Sequence, residues 1–350
     1  MKIAITADLH LRTKKEHPER YHALDNILTQ CIDLGIGELI IAGDLFDKDQ
    51  PSFSDFEAIC KKPAYKEINI KVIPGNHDSA LSNQKIALQN LEVIDIPRVD
   101  ALAEGWQIMF VPYQADALMG EVIQMLFPEI GSKKWCIVGH GDYIEGVKEI
   151  NPYEPGIYMP LTRKDVEAFN PDRIFLGHIH QPSPGNRVQY AGSPCALDSS
   201  ETGHRHFLVF DTQSNQIELP RVDTDRLYFR AALVVFPIAN SLELLSDQIQ
   251  DSIRDWDIRS GDEKKASIKV KVTGYSSDRE ALERFTRQAF KDFKNEPEID
   301  IADVQFADDS DRDFIFEKCI HALQDNKDGI ETQALQPEIL SAILDLVYGG

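Results

Sequence analysis

The chain has 350 residues, with 37 Lys+Arg against 58 Asp+Glu, a formal net charge of −21 and 42% apolar residues. This is the composition of a soluble globular protein, and the length allows two or three domains of about 100–200 residues each. Five cysteines (Cys31, Cys60, Cys136, Cys195 and Cys319), odd in number and without a Cys-x-x-Cys pair, argue against a disulfide framework or a thiolate zinc site and fit a reducing cytoplasm.

At the N-terminus Met1-Lys2 leads straight into an apolar strand pattern, leaving no room for a signal peptide, and no run approaches the ~18 apolar residues of a spanning helix. No membrane association is expected. From residue 1 to about 210, strand-like and helix-like segments alternate, the signature of a layered α/β domain. Apolar runs that read as buried parallel strands cover 2–7, 38–42, 70–74, 135–138 and 173–176. Among the intervening segments, 17–34 carries Leu24, Ile27, Leu28, Cys31 and Ile32 on one helical face, and 116–127 carries Leu118, Val122, Ile123, Met125 and Leu126. Short strands at 188–191, 206–210 and 216–219, separated by Gly/Ser/Asp-rich turns, are expected to form an antiparallel second sheet.

After Pro220 the periodicity restarts with strand 227–236, helix 242–256 and strand 266–272, the last placing Ile268, Val270 and Val272 inward. Helix 279–293 and strand 299–306 follow. The expected division is a first domain over 1–222, a second, smaller α/β domain over 223–308, and a remainder over 309–350. Its two helices, 314–323 and 337–347, are too little to form a core alone.

Each of the five strand runs in the first domain ends in residues able to ligate metal. These are Asp8-Leu9-His10, Gly43-Asp44-Leu45-Phe46-Asp47, Gly75-Asn76-His77-Asp78, Gly139-His140 and Gly177-His178-Ile179-His180. In an open α/β sheet the crevice lies outside the carboxyl ends of the strands, so five distant stretches converge on one site. Singly the motifs are ordinary: Asp8 and His10 suit a capping Asp and a partly buried His, Asp44 a helix N-cap, and Gly75-Asn76 a turn. Together they hold five of the ten histidines, and the other five fall in helices or later segments. Carboxylate with imidazole suits manganese, iron or zinc better than calcium. A carboxylate such as Asp44, after the turn-permitting Gly43, is able to bridge two cations held ~3.5–4 Å apart. Asn76 offers a neutral carbonyl. His77 is placed to protonate a leaving oxygen, with Asp78 able to fix its ring.

This ordered series resembles the calcineurin-like metallophosphoesterase superfamily over roughly residues 1–210. The resemblance implies a two-sheet αββα sandwich and two divalent ions, manganese first, with iron, zinc or magnesium as alternatives. One ion would be held by Asp8, His10, Asp44 and His180, the other by Asp44, Asn76, His140 and His178, with His77 as catalytic acid supported by Asp78. Within the superfamily the chain is most similar to the SbcD-type DNA repair nucleases. The marks are Gly43-Asp44-Leu45-Phe46-Asp47 with Pro51-Ser52, Gly177-His178-Ile179-His180-Gln181-Pro182, Tyr190-Ala191-Gly192-Ser193-Pro194, and Ile217-Glu218-Leu219-Pro220 before the small α/β unit. That likeness implies a 3′-to-5′ exonuclease and endonuclease of double-strand-break repair, acting on DNA with an SMC-like ATPase partner. It also implies a DNA-capping role for 223–308, ATPase-docking helices in 309–350, and a homodimer through 53–60 and 81–91.

Some positions depart from the family pattern. Asp47 stands where archaeal and eukaryotic members usually carry His, as in bacterial members, so no second catalytic His is assigned. Gly141-Asp142 follow the fourth motif where many members have an acidic or aromatic residue, and Cys195-Ala196-Leu197-Asp198 fill a stretch that often holds an Arg. Lys48-Asp49 and Asp78 replace the Arg-Gly and Glu of phosphoprotein phosphatases, which disfavours that activity. The alternative is a small-molecule or cyclic-nucleotide phosphodiesterase on the same centre. A silent scaffold is disfavoured because none of the ligand positions is lost. A net charge of −21 is at odds with phosphate backbones, which basic surfaces normally meet. Candidate DNA contacts are Arg12, Lys14, Lys15 and Arg187, with Lys264, Lys265, Lys269 and Lys271 in the second domain.

Overall fold

The computed structural model describes residues 1–48, 52–86, 88–146, 156–183, 185, 187–238, 240–293, 295–306, 310–325 and 337–348. Pro51 and the polar stretch 326–336 between the C-terminal helices lie outside the described residues. The chain divides into two compact units, Met1–Asp225 and Arg226–Gly350.

In the first unit, Lys2–Thr6 has four consecutive buried residues, as a strand covered on both faces must. It pairs parallel with Glu38–Ala42, which pairs with Asn69–Ile73 and then Leu91–Val93. Its other edge takes the antiparallel hairpin Leu208–Asp211 and Gln216–Glu218, completing a six-stranded sheet. A five-stranded sheet runs from Arg98–Ala101 through Trp106–Val111, Lys134–His140 and Arg173–Gly177 to Val188–Tyr190. Only its Arg98–Ala101 edge is antiparallel.

Between the sheets lies a core that includes Ile5, Ile40 and Ile73 from one side and Phe110, Val138 and Phe175 from the other. Trp106 closes one end, its indole N–H donating to the Thr212 carbonyl at 2.8 Å. The outer face of the first sheet is covered by helices Pro18–Asp33 and Phe53–Cys60, that of the second by Met119–Leu126 and Arg163–Phe169. Pro18 starts its helix where no N–H is needed, and Thr162 with Asp165 forms a capping box at the start of Arg163–Phe169. This is the αββα sandwich.

Two sequence expectations change in detail. The five motif-bearing strands do not share one open sheet: three lie in the first and two in the second. The later short strands do not form a sheet of their own. Val188–Tyr190 runs parallel beside Arg173–Gly177, and the hairpin caps the edge of Lys2–Thr6, pairing backbone groups that an open edge would leave exposed. The helical apolar faces are also narrower than read: Ile32 is 43% exposed, Leu118 47% and Met125 70%.

The second unit is a parallel sheet with helical crossovers. Leu227–Val235 pairs along its whole length with Ala266–Ser276, which pairs with Glu298–Asp300 and, beyond a break, with Val304–Phe306. Helices Ser241–Asp255 and Arg279–Ala289 contribute Leu245, Ile249 and Leu282 to a core with Ala231, Leu233, Ile268, Val270 and Val272. Strand alternation sets this: Ile268, Val270 and Val272 are buried while Lys271 is exposed. A second cluster joins Phe236 to Phe316, Ile320, Leu344 and Tyr348, so helices Ser310–Asp325 and Pro337–Tyr348 pack on their own unit. The Tyr275 hydroxyl donates to the Tyr348 carbonyl at 3.2 Å.

Candidate metal centre

The motif loops of the first sheet are stitched to one another through their backbones. The N–H groups of Asp8, His10 and Leu11 donate to the carbonyls of Gly43, Asp44 and Leu45 at 3.1, 2.9 and 2.9 Å. The third loop joins through the His77 N–H, which donates to Asp44 Oδ1 at 2.8 Å. The second sheet is tied in by Asp8, whose two oxygens accept the His178 N–H at 2.9 and 3.1 Å. Asp8, His10, Asp44 and His178 have φ of 53°, 46°, 50° and 100°. That left-handed backbone costs a non-glycine residue about 1–3 kcal/mol, and such strain clusters at functional sites. Gly43, at φ 92°, permits a closer approach still, since a Cβ there would stand 2.1 Å from His140 Nδ1.

The seven expected ligands meet at the carboxyl ends of these strands. Asp8, His10, Asp44, Asn76, His140 and His178 are buried, and His180 is 29% exposed at its side chain. Three groups have ligand atoms within 4.8 Å of one another: Asp8, His10 and His180; Asp8, Asp44 and His140; His10, Asp44 and His77. Asp44 Oδ2 stands between two imidazoles, 3.6 Å from His10 Nε2 and 3.3 Å from His140 Nε2. Asn76 Oδ1 lies 2.8 Å from His140 Nε2 and 3.2 Å from His178 Nδ1, which links His178 to the cluster. Asp8 reaches both halves, so it and Asp44 are equally central.

The donor set fits divalent cations. The Ala42 carbonyl accepts from His140 Nδ1 at 2.9 Å, which leaves Nε2 facing two oxygens, a contact satisfied by a proton or by a cation. His10 Nε2 and His180 Nε2 likewise face each other at 3.0 Å. The Asn76 NH2, buried and without a hydrogen-bond partner, leaves its amide oxygen as the group turned inward. Two carboxylates, an amide oxygen and imidazole nitrogens are donors for manganese, iron or zinc.

Electrostatics follow the same geometry. Burial pushes the Asp8 carboxyl above its usual range, against the pull of His140 and His180. Burial acts the same way on Asp44, but His140 beside it, with His10 and His77, holds it well below that range. Burial lowers His10 to about 3, the neutral form that binds metal. For His140 burial is outweighed by Asp44 and Asp8, which raise it to about 9.

His77 sits at the rim, 17% exposed at its side chain, with its ring edge-on to His10 at 4.5 Å. Its Nδ1 lies 3.3 Å from Asp47 Oδ1, and Asp47 Oδ2 accepts from Arg12 Nε at 2.9 Å. Asp78, expected to fix the His77 ring, accepts the Gly75 N–H at 2.7 Å and the Phe46 N–H at 3.1 Å. It shapes the turn that carries His77, and Asp47 meets the ring.

Sequence reasoning missed four residues around the site. Glu201 Oε1 accepts from His180 Nδ1 at 2.8 Å, and the fully buried Arg205 donates from Nε to the Ser193 carbonyl at 2.9 Å. Arg20, also buried, donates to the His10 carbonyl. Asp142 Oδ2 accepts the Tyr158 N–H at 2.7 Å, and its Oδ1 lies 3.7 Å from His178 Nε2. Glu201, Arg205 and Arg20 belong to no spacing that marks a strand end, and Asp142, two residues past the strand end at His140, is marked in the sequence only as a departure from the family pattern.

The cationic candidates are scattered. Lys14 and Lys15 are exposed, and Arg187 donates to Asn170 Oδ1 at 2.9 Å. In the second unit Lys265 lies 4.0 Å from Asp262, Lys269 3.1 Å from Glu298 and Lys271 2.7 Å from Asp303. Lys264 is exposed.

Comparison relates this chain to known proteins. The chain is 27% identical over 256 residues to the SbcD component of the nuclease SbcCD from Staphylococcus epidermidis (strain ATCC 12228 / FDA PCI 1200), covering 62% of this chain and 67% of that protein. It is 25% identical over 257 residues to the protein of the same name from Bacillus subtilis (strain 168), covering 58% of this chain and 64% of the relative. A solved structure described as a novel archaeal phosphodiesterase aligns with 63% of this chain and all of its own at 14% identity and a TM-score of 0.35. The sequence profile of the calcineurin-like phosphoesterases matches residues 1–182, more than half of the chain, and the protein belongs to that family.

Proposed function

We propose that this phosphoesterase is a DNA nuclease that hydrolyses phosphodiester bonds with two divalent ions, manganese first among them, in double-strand-break repair. The observation that carries the reading is the convergence of Asp8, His10, Asp44, Asn76, His140, His178 and His180, with Asp44 between the two halves. Bound there, divalent ions supply charge for the scissile phosphate and an activated water. The chain's own residues do the rest. Asp47 meets His77 at Nδ1, and the ring at the rim is assigned the proton given to the departing oxygen. Arg12, beside Asp47 at the same rim, is positioned to hold a flanking phosphate.

The relatives' name supports the nuclease reading and a multi-component setting. For an ATPase partner, the second unit exposes Phe314, Ile315, Ile339 and Leu346 on its two C-terminal helices, Leu346 at 84%. For a homodimer, the resemblance points to 53–60, which forms helix Phe53–Cys60, and to 81–91. No helix of the described residues is long and apolar enough to cross a membrane. We place the protein in the cytoplasm.

The test is degradation of linear duplex and single-stranded DNA with manganese, against magnesium, chelator and the His77→Ala variant, beside a model phosphodiester and a cyclic nucleotide. Manganese-dependent DNA cleavage lost in the variant is expected. A second reading, a small-molecule or cyclic-nucleotide phosphodiesterase, is favoured by the net charge of −21. Cleavage of the small esters alone would put it in the first place.

A further inference from the structure

A buried carboxylate meets His180 from behind. Glu201, 7% exposed, accepts from His180 Nδ1 at 2.8 Å through Oε1. Its Oε2 is held by three donors: the Ser193 hydroxyl at 2.7 Å, the Leu197 N–H at 3.1 Å and an Arg205 guanidinium nitrogen at 3.3 Å. Arg205, fully buried, also donates to the carbonyls of Ser193 and His180 and to the Ser193 hydroxyl, the last at 2.6 Å. The side chain that meets the ring and the side chain that clamps the His180 backbone are thus parts of one cluster.

We propose that Glu201, fixed by Arg205 and Ser193, is a positioning residue that holds His180 as its Nδ1–H tautomer and so turns Nε2 toward the metal centre. A carboxylate accepts and does not donate, so its contact with Nδ1 requires the ring proton there. Nε2 is then the nitrogen with a free lone pair, and it points at His10 Nε2, 3.0 Å away. Burying an Arg–Glu pair costs more desolvation than a surface pair recovers, which makes such a pair weak as a simple stabiliser. Orienting a ligand gives it another use, and outer partners of this kind typically change metal affinity by about 10- to 100-fold.

The inference rests on His180 being a ligand, and its test separates the two claims. Manganese is titrated into the full chain by calorimetry and by electron paramagnetic resonance for the native protein, Glu201→Gln, Ser193→Ala and His180→Ala. Glu201→Gln is expected to weaken one of two sites roughly 10- to 100-fold, leave the other unchanged, and hold the melting temperature within a few degrees. Long-range proton–nitrogen spectra of the metal-free protein should show the His180 Nδ1–H pattern in the native chain and both tautomers in Glu201→Gln, whose amide can donate as well as accept. Equal weakening of both sites, no weakening, or an unchanged ring pattern overturns the positioning role. Should Glu201→Gln not fold, Ser193→Ala decides: a smaller loss at the same site supports the role, and none overturns it. If His180→Ala retains two undiminished sites, the reading of His180 as a ligand falls and the positioning role with it.

Discussion

The two units bury different things. In the first, the interior at the strand ends holds Asp8, His10, Asp44, His140, His178, Glu201 and Arg205, and four of the residues there sit in left-handed backbone. In the second, Thr286 is the only buried polar side chain among the described residues, and its hydroxyl donates to the Leu282 carbonyl one turn back. Both units are α/β and both draw on parallel strands, so fold class does not separate them. What separates them is that one carries unfavourable groups inside for chemistry, while the other keeps its charges on the surface. The first is built around a site.

The largest test of that contrast is Asp44→Ala. Removing the carboxylate between His10 and His140 should abolish hydrolysis of every ester and leave fewer than two bound ions in a metal titration. Retention of even a tenth of the activity would remove Asp44 from the centre. On the proposed reading, in which the ring acts on the leaving group from the rim, His77→Ala should lower turnover by about 10²–10⁴-fold while the ion count stays at two. A loss of bound ion would instead make His77 a ligand, a role its grouping with His10 and Asp44 allows geometrically. Leu245→Ala in the second unit opens a cavity in a core without site residues. It should destabilise that unit by about 2–5 kcal/mol and leave hydrolysis of a small model ester unchanged at 25 °C. Separate thermal transitions with only the second displaced would sharpen the contrast; loss of ester hydrolysis would break it.

The difference also sets what could be read from sequence. Strand ends are marked twice, by an apolar run and by the Gly or Asp that follows, so Asp8, Asp44, Asn76, His140 and His178 stood out by position before any contact was known. The sheets' pairing did not, because apolar runs state that a strand is buried and not which neighbour buries it. Hence three motif strands went to one sheet and two to the other. Glu201 and Arg205 were invisible for a similar reason: their meaning lies in a fold-back of the chain onto His180, 21 residues earlier for Glu201. The same limit affected Asp78, whose neighbour in sequence is His77 but whose oxygens meet Gly75 and Phe46.

The lysines of the second unit give the smallest effect. Alternation placed Lys269 and Lys271 on the outer face of strand Ala266–Ser276, where a nucleic-acid backbone would meet them, but Glu298 and Asp303 stand 3.1 and 2.7 Å away. A lysine that reaches a phosphate releases condensed counterions, contributing about 0.9 to the slope of log affinity against log salt. Two lost contacts would therefore remove about 1.8 from the slope. Because a carboxylate already faces each ammonium, the double variant Lys269→Ala/Lys271→Ala should leave the slope for duplex DNA nearly unchanged and the melting temperature unmoved. Arg12→Ala should reduce the slope by about 0.9: Asp47 faces the Arg12 guanidinium too, but at Nε, and the planar fork has further N–H donors to offer a phosphate at the rim beside His77. If the lysine pair moves the slope more than Arg12 does, DNA is held mainly by the second unit's sheet, and the acidic partners are displaced when it binds.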